Sequence, residues 1–327
     1  MKLNTTLSIV LFFVVYSISA QNIYNKSTKQ MGATVDYAIE AATKEEGEKY
    51  IQIAQKEIDR IYNLISSKIS NSETSKINNS AGIEPVEVSQ EMIDIIKRSI
   101  KISELTNGYF DISFASVKKV WKFDDLMNSM PDAESLTTSV EKINYRNIEI
   151  DEAKKTVYLR EKGMKIGFGA VDKGYAVESA KRKLQKLGVK SGFINAAGDR
   201  TSWGIHPKNG KWKTFIGNSE NDGNTLWFTL ENSSMVTSGN YKSFIGKNGK
   251  KYTHILDPKT GSLISGIQSV TIFCADAEMA DALATSVYIM GIQKGMELIN
   301  KLEGTKYLIL DSEGMIYTSK GLEFSKQ

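Results

Sequence analysis

The chain contains only two histidines, and one of them, His254, stands in YTHILDPKTG, an alternating run that ends in an Asp-Pro turn. Imidazole is the side chain whose unperturbed pKa lies nearest neutrality. At the end of a fixed strand it can take the proton from a weak hydroxyl nucleophile. The other histidine, His206, precedes Pro207 and a KNGK turn and reads as a surface residue. A second pattern, ADAEMADALATSVYIMG, spaces Asp281 and Thr285 four apart, so on a helix both oxygens project from one face. Carboxylate, hydroxyl and carbonyl oxygens suit a hard cation such as Mg2+. The same pair also fits an ordinary solvated helix face, and Asp276 reads as the cap of that helix. The third pattern, GFGAVDKGYAVESA, is an extended run that bends through glycines into a helix. Such a bend presents backbone N–H groups and a positive helix end to an anion, with Lys173 alongside. Its glycines, at 167, 169 and 174, match neither a Walker loop nor a dinucleotide fingerprint, and a plain strand-to-helix bend with a surface lysine is the competing reading.

The elements that must position these residues are legible from periodicity. Ile51, Ala54, Ile58, Ile61 and Ile65 recur at three- and four-residue intervals and predict a long helix with one apolar face. A second helix is predicted from Ser89 to about Thr106, with Met92, Ile96 and Ile100 inward and Asn107-Gly108 as its stop. Between them SSKISNSETSKINNSAG reads as a polar surface loop. From Arg146 onward short β-type runs follow (NIEI, TVYL, MKIGF, GFIN, TLWFTL, SMVTS, SVTIF, YLIL). Two helical segments interrupt them: YAVESAKRKLQKLG, with Val177, Ala180, Leu184 and Leu187 inward, and AEMADALATSVYIMG, with Leu283, Val287 and Met290 inward. Helices mixed with hairpin-like strands predict an α+β fold.

The first twenty residues, MKLNTTLSIVLFFVVYSISA, have a positive start, a short apolar run and a small-x-small ending, the pattern of a secretory signal peptide cleaved after Ala20. Residues 21–327 then read as one domain. The single cysteine, Cys274, cannot form an internal disulfide and reads as a buried strand residue. Lys and Arg number 42 against 38 Asp and Glu, for a net charge of +4. These charges are scattered, which argues against a nucleic-acid partner.

Taken in order, MGATV, SSKISNSETSKIN, NGYFDIS, GFGAVDKGYAVE, FINAAGD, MVTSGNY, YTHILDPKTG and ADALATS resemble the ApbE-type FAD:protein FMN transferases, or flavin transferases, over nearly the whole chain after Ala20. The resemblance implies a T-fold-related, single large α+β domain and a Mg2+-dependent enzyme that uses FAD as substrate. Such an enzyme passes FMN to a Thr or Ser hydroxyl of an exported flavoprotein subunit, of a respiratory or ion-pumping redox complex, and releases AMP. It further implies a metal site made by the carbonyl of Ala170 with Asp281 and Thr285, and His254 as general base. FAD contacts are implied at Met31, Tyr109, Phe110, Asp111, Lys173 and Ile255, with position 68 facing the flavin ring. The expected location is exported and periplasmic, with peripheral association at the inner membrane as a further expectation. Three positions depart from the family pattern: Lys68 where relatives carry an aromatic residue, Gly167 where Asp is frequent, and Asn195-Ala196-Ala197-Gly198-Asp199 for Asn-x-Gly-Gly-Asp. Two alternatives stay open at this level: an FAD pyrophosphatase in which water replaces the acceptor, and a non-catalytic FAD-binding protein.

Overall fold

The turn Met31-Gly32 has positive φ at both residues, 52° and 74°, the backbone geometry that matches the twist of a two-residue hairpin. It joins β1 (Asn22–Gln30) to β2 (Ala33–Ala41), which pair antiparallel over their full length. The computed structural model describes residues 22–118, 131–217, 225–239, 243–245, 251–253 and 255–326, with backbone alone for 243–245, 251–253 and 326. The predicted signal peptide and His254 lie outside the described residues.

Helix α1 (Lys44–Ile65) starts where the Thr43 hydroxyl accepts the Glu46 N–H and the Glu46 carboxylate reaches back to the Ala42 N–H, a reciprocal cap. All five residues of its predicted apolar face are buried. The stretch read as a loop contains a helix, α2 (Glu73–Asn79), capped by Ser72. It buries only one large apolar side chain, Ile77, too little to show as a period. After β3 (Val86–Glu87) comes α3 (Gln90–Leu105), capped by Ser89 and stopped by Asn107 and Gly108, both at positive φ. Next are α4 (Ala133–Val140) and the hairpin β4 (Ile148–Asp151) and β5 (Thr156–Leu159), which β3 extends to three strands.

The β-type run MKIGF joins no ladder. Side chains stand in for a neighbouring strand: Asn78 Nδ2 donates to the Ile166 carbonyl at 2.9 Å and its Oδ1 accepts the Ile166 N–H at 2.7 Å. Ser116 does the same for Lys165. The run feeds α5 (Asp172–Lys186), which ends before Gly188 at φ 86°. Val177, Ala180 and Leu184 are buried as expected, but Leu187 is half exposed because the helix has already ended at Lys186.

The remaining elements are β6 (Gly192–Ala196), β7 (Asp199–Trp203), β8 (Trp212–Ile216), β9 (Leu226–Leu230), β10 (Ser234–Gly239), β11 (Ser243–Ile245), β12 (Lys251–Thr253), β13 (Ile267–Cys274), α6 (Ala277–Met290), α7 (Ile292–Ile299), β14 (Lys306–Asp311), β15 (Ile316–Thr318) and β16 (Ser325–Lys326). Eight strands form one antiparallel sheet in the order β1-β2-β6-β7-β10-β13-β14-β15. Alternating side chains divide its two faces. Ile194, Val236, Ile272 and Ile309 pack under the helices, while Phe193, Met235, Phe273 and Leu308 pack with Trp212, Phe228 and Leu230 of the small sheet β16-β9-β8. The result is three layers, helices on a large sheet on a small one, and it is α+β as expected. Cys274 is buried at the end of β13.

Candidate active site

Gly174, in the first turn of α5, lies against α6. A Cβ placed there would stand 2.3 Å from the Ala277 carbonyl oxygen and 2.7 Å from the Asp281 Cβ, so only glycine permits this approach. The approach brings the Gly174 N–H to Asp281 Oδ2 at 3.1 Å. Val171, at the N-cap position, offers no side-chain cap, and Asp281 supplies the missing carboxylate from the neighbouring helix. Ala170 sits in the turn closed by the Val171 N–H donating to the Phe168 carbonyl, four residues before Gly174. One turn along α6 from Asp281, Thr285 exchanges a hydrogen bond with Ser238 of β10, Oγ to Oγ1 3.0 Å. The fold therefore brings the α5 entrance, Asp281 and Thr285 to one end of the sheet.

Asp199 joins them from the first position of β7. Its turn, Ala197-Gly198, has φ of 54° and 108° and is pinned by the Gly198 N–H donating to Asn195 Oδ1 at 3.0 Å. The Asp199 and Asp281 carboxylates, 3% and 4% exposed, interact with each other. Lys173 Nζ stands 3.3 Å from Asp199 Oδ2 and 3.6 Å from Asp172 Oδ1. Burial pushes both carboxyls upward, the Asp199 charge pushes Asp281 further, and Lys173 draws both back. The Asp199 charge beside it holds Lys173 cationic. Two buried carboxylates facing one ammonium leave an excess of negative charge that calls for a proton or a second cation. The donors are hard oxygens, which fit Mg2+. Among the described residues no three His, Cys, Asp or Glu side chains gather to hold a metal, so a cation here needs hydroxyl and carbonyl oxygens beside the acids.

Charged groups lock together the two helices that carry Lys173 and Asp281. The Glu178 carboxylate of α5 accepts the Ala277 N–H at 3.2 Å, and Arg182 pairs with Asp276, which caps α6 through the Met279 N–H. From α3, Arg98 pairs with the buried Glu278 of α6 at 2.9 Å and lies over the Tyr175 ring of α5, 5.4 Å from its centroid. The Tyr175 hydroxyl in turn donates to Glu91 at 2.6 Å.

Other residues singled out in the sequence lie outside the contact of Gly174 with Asp281. Met31 occupies the β1–β2 turn at the same end of the sheet as Ala197-Gly198, because Val35 pairs with Ala196 and the Ala197 N–H donates to the Thr34 carbonyl. Tyr109 is half-buried under two ammonium groups, Lys259 Nζ at 4.0 Å and Lys294 Nζ at 5.7 Å from its ring centroid. Phe110 is buried in the core. Asp111 turns inward, its oxygens accepting Ser113 N–H, Ser113 hydroxyl and Tyr145 N–H. Lys68 is exposed in the turn after α1. Ile255 packs against the α6 cluster, and its carbonyl accepts the Ile264 N–H. The DPKTG turn following His254 is rigid: Asp257 accepts the Lys259 N–H, and Gly261 packs so closely on α4 that a Cβ would meet the Leu136 carbonyl at 2.8 Å. A Cβ at Gly167 would stand 3.1 Å from that of Ala115, which accounts for a glycine at that departure from the family pattern. His206, half-buried, accepts two N–H groups of its own turn and meets Trp212 edge-on. Asp199 and Ser238 were the site residues to which the sequence assigned no role. Both stood in recognisable motifs, FINAAGD and MVTSGNY, but only the strand order shows that they meet α5 and α6.

A helix entrance, a lysine and two facing buried carboxylates at one end of an antiparallel sheet define an α+β protein with a cluster of groups suited to a cation and an anion together. The chain belongs to the ApbE family, whose model matches residues 31–309. Among curated proteins it is similar to the FAD:protein FMN transferase of Klebsiella pneumoniae (strain 342), 26% identical over 88% of each chain. The FAD:protein FMN transferase of Haemophilus influenzae is 24% identical, over 93% of this chain and 91% of that protein. Among solved structures the ApbE protein of Thermotoga maritima superposes with a TM-score of 0.82 at 27% identity, covering 91% of this chain and 97% of that one. The apo flavinyl transferase ApbE of Pseudomonas stutzeri gives 0.79 at 20% identity, over 92% and 95%.

Proposed function

We propose that this protein is a Mg2+-dependent FAD:protein FMN transferase acting outside the cytoplasm on an exported flavoprotein subunit. The observation that carries the reading is the pair of buried carboxylates, Asp199 and Asp281, beside Lys173 and the α5 entrance, in a chain whose curated relatives are named FAD:protein FMN transferases. Asp281, Thr285 and the Ala170 carbonyl would hold Mg2+, which when bound neutralises pyrophosphate charge and favours phosphoryl transfer. The N–H groups of α5 and Lys173 are suited to a phosphate oxygen. In the reaction, the acceptor Thr or Ser oxygen forms a bond to the phosphorus of the FMN half, the bridging P–O bond breaks, and AMP leaves. His254 takes the hydroxyl proton. The signal-peptide pattern of residues 1–20 supports export to the periplasm, with docking at the inner-membrane face where respiratory acceptors reside. Among the described residues no helix is long and apolar enough to cross a membrane.

The test is to incubate the purified protein with FAD, Mg2+ and an exported flavoprotein subunit from the same genome, following AMP release and acceptor mass. The expected result is covalent FMN on a Thr or Ser together with AMP, and in His254→Asn a rate lower by about 10²–10⁴-fold with FAD binding retained. AMP and FMN released with no mass gain on any acceptor would make the protein a pyrophosphatase. FAD bound without turnover would make it a binding protein.

A further inference from the structure

Asp199 has an acceptor that the protein leaves unanswered. Its Oδ2 is buried with no hydrogen-bond partner among the described residues, although Lys173 Nζ stands 3.3 Å away as an ion pair. Desolvating a carboxylate oxygen without a donor is costly, and buried unsatisfied groups are rare in native folds. The backbone is arranged to keep it there. Ala197 takes a left-handed φ of 54°, which an L-residue resists, and Asn195 holds the turn by accepting the Gly198 N–H while donating to Asp36. While both acids are ionised the facing carboxylate cannot answer Oδ2, because both are acceptors, so the pair must take up a proton or a cation. A ligand of positive charge, reached from the α5 entrance, satisfies it.

We propose that Asp199 is a second carboxylate ligand of the cation site, so that the metal is held by a pair of acids, Asp199 and Asp281, drawn from the sheet and from α6. The inference rests on the cation-site reading above. Lys173 then has two states: with no metal present its ammonium occupies the charge between the acids, and on metal entry it swings to the anionic substrate. Metal and lysine compete for the same carboxylates. The 26% exposure of the Lys173 side chain beside a buried acid, at 3.3 Å, leaves it a route out of that pairing.

The competition gives a test with no need of activity. Mn2+, an oxygen-seeking stand-in for Mg2+, is titrated by electron paramagnetic resonance into the purified protein without FAD, and Mg2+ by calorimetry. Asp199→Asn is expected to weaken binding at least tenfold, and Lys173→Met to tighten it severalfold. The double variant separates two roles for Asp199. A metal ligand leaves the double variant at least tenfold weaker than Lys173→Met alone, whereas an aspartate that merely restrains Lys173 leaves the double variant as tight as Lys173→Met, which would overturn the proposal. Unchanged affinity in Asp199→Asn would overturn it as well. Asp281→Asn is the control: loss of Mn2+ there with none in Asp199→Asn sinks only the role of Asp199, while wild type that binds no Mn2+, or Asp281→Asn that binds normally, sinks the cation site itself. Circular dichroism checks folding, and Asp199→Ser repeats the titration should the asparagine variant be misfolded.

Discussion

Replacing Gly174 by alanine tests the geometry of the site through stability alone. Two opposed effects act. Alanine is favoured over glycine in a helix by about 0.8–1 kcal/mol, so at a roomy position the variant would be the more stable protein. Here the new methyl meets a backbone carbonyl, Ala277 O, at 2.3 Å and the Asp281 Cβ at 2.7 Å. Neither can rotate away, so α5 and α6 must separate. Overpacking of this kind costs typically 1–3 kcal/mol, to which the stretched Gly174–Asp281 hydrogen bond adds about 0.5–1.5 kcal/mol. The net expectation is a loss of about 2–3 kcal/mol, or roughly 4–10 °C in melting temperature for a chain of this size. Differential scanning calorimetry without metal or FAD measures it, and Mn2+ affinity should fall in parallel because Asp281 moves. A melting temperature equal to or above wild type would mean that the helices are not in this contact, and the placement of Asp281 at the α5 entrance would fall with it.

Ala197→Gly should stabilise the protein by about 0.5–1 kcal/mol, since glycine removes the left-handed strain at φ 54° while adding some unfolded-state entropy; a lower denaturation midpoint would contradict this. Lys68→Tyr should tighten FAD binding by about fivefold, the worth of one added stacking face, and fluorescence quenching that gives an unchanged dissociation constant would place Lys68 away from the flavin. Glu57 governs acid stability: burial pushes its carboxyl up, but hydrogen bonds from Arg60, Lys183 and Ser179 outweigh this and bring it from 4.5 down to about 2. A depressed folded-state value means that the stabilisation is present above pH 4.5 and is lost as pH falls toward 2. Because Arg60 and Lys183 are about half exposed, the loss is about 2 kcal/mol. Glu57→Gln should flatten that part of the stability profile in urea titrations from pH 5 to 2, and parallel profiles for the two proteins would refute it.

What the sequence disclosed follows from how far each signal reaches along the chain. The α1 face, the start of α3 at Ser89, the Asp276 cap and the stop at Asn107-Gly108 are local patterns that the structure reproduces; on the α3 face Met92 and Ile96 are buried and Ile100 is half-buried. Helix α2 stayed hidden because only Ile77 supplies a large apolar contact and its cap, Ser72, is one serine among many. MKIGF looked like a strand because its residues are extended and alternate. Its partners are Asn78, Ser116 and the Ile112 carbonyl, side chains and a turn that no β-pattern announces. The hairpin of β1 and β2 escaped notice for the opposite reason: β1 lies at the sheet edge with mostly polar, exposed residues, so it lacks the apolar alternation of a core strand.

The site divides along the same line. Asp281 and Thr285 are visible as a pair because a helix repeats every four residues, but whether that face is wet or buried depends on α5, more than a hundred residues earlier. Gly174 decides it: with no side chain it lets the α5 entrance close over Asp281, turning a carboxylate of ordinary spacing into a desolvated one. Asp199 becomes chemically meaningful only after β6 and β7 fold back and set it against Asp281 and Lys173. A single buried acid beside a lysine would be neutral and inert. Two acids beside one lysine form a group that calls for a proton or a further cation, and this grouping, which no local stretch of sequence contains, is what the proposed cation site rests on.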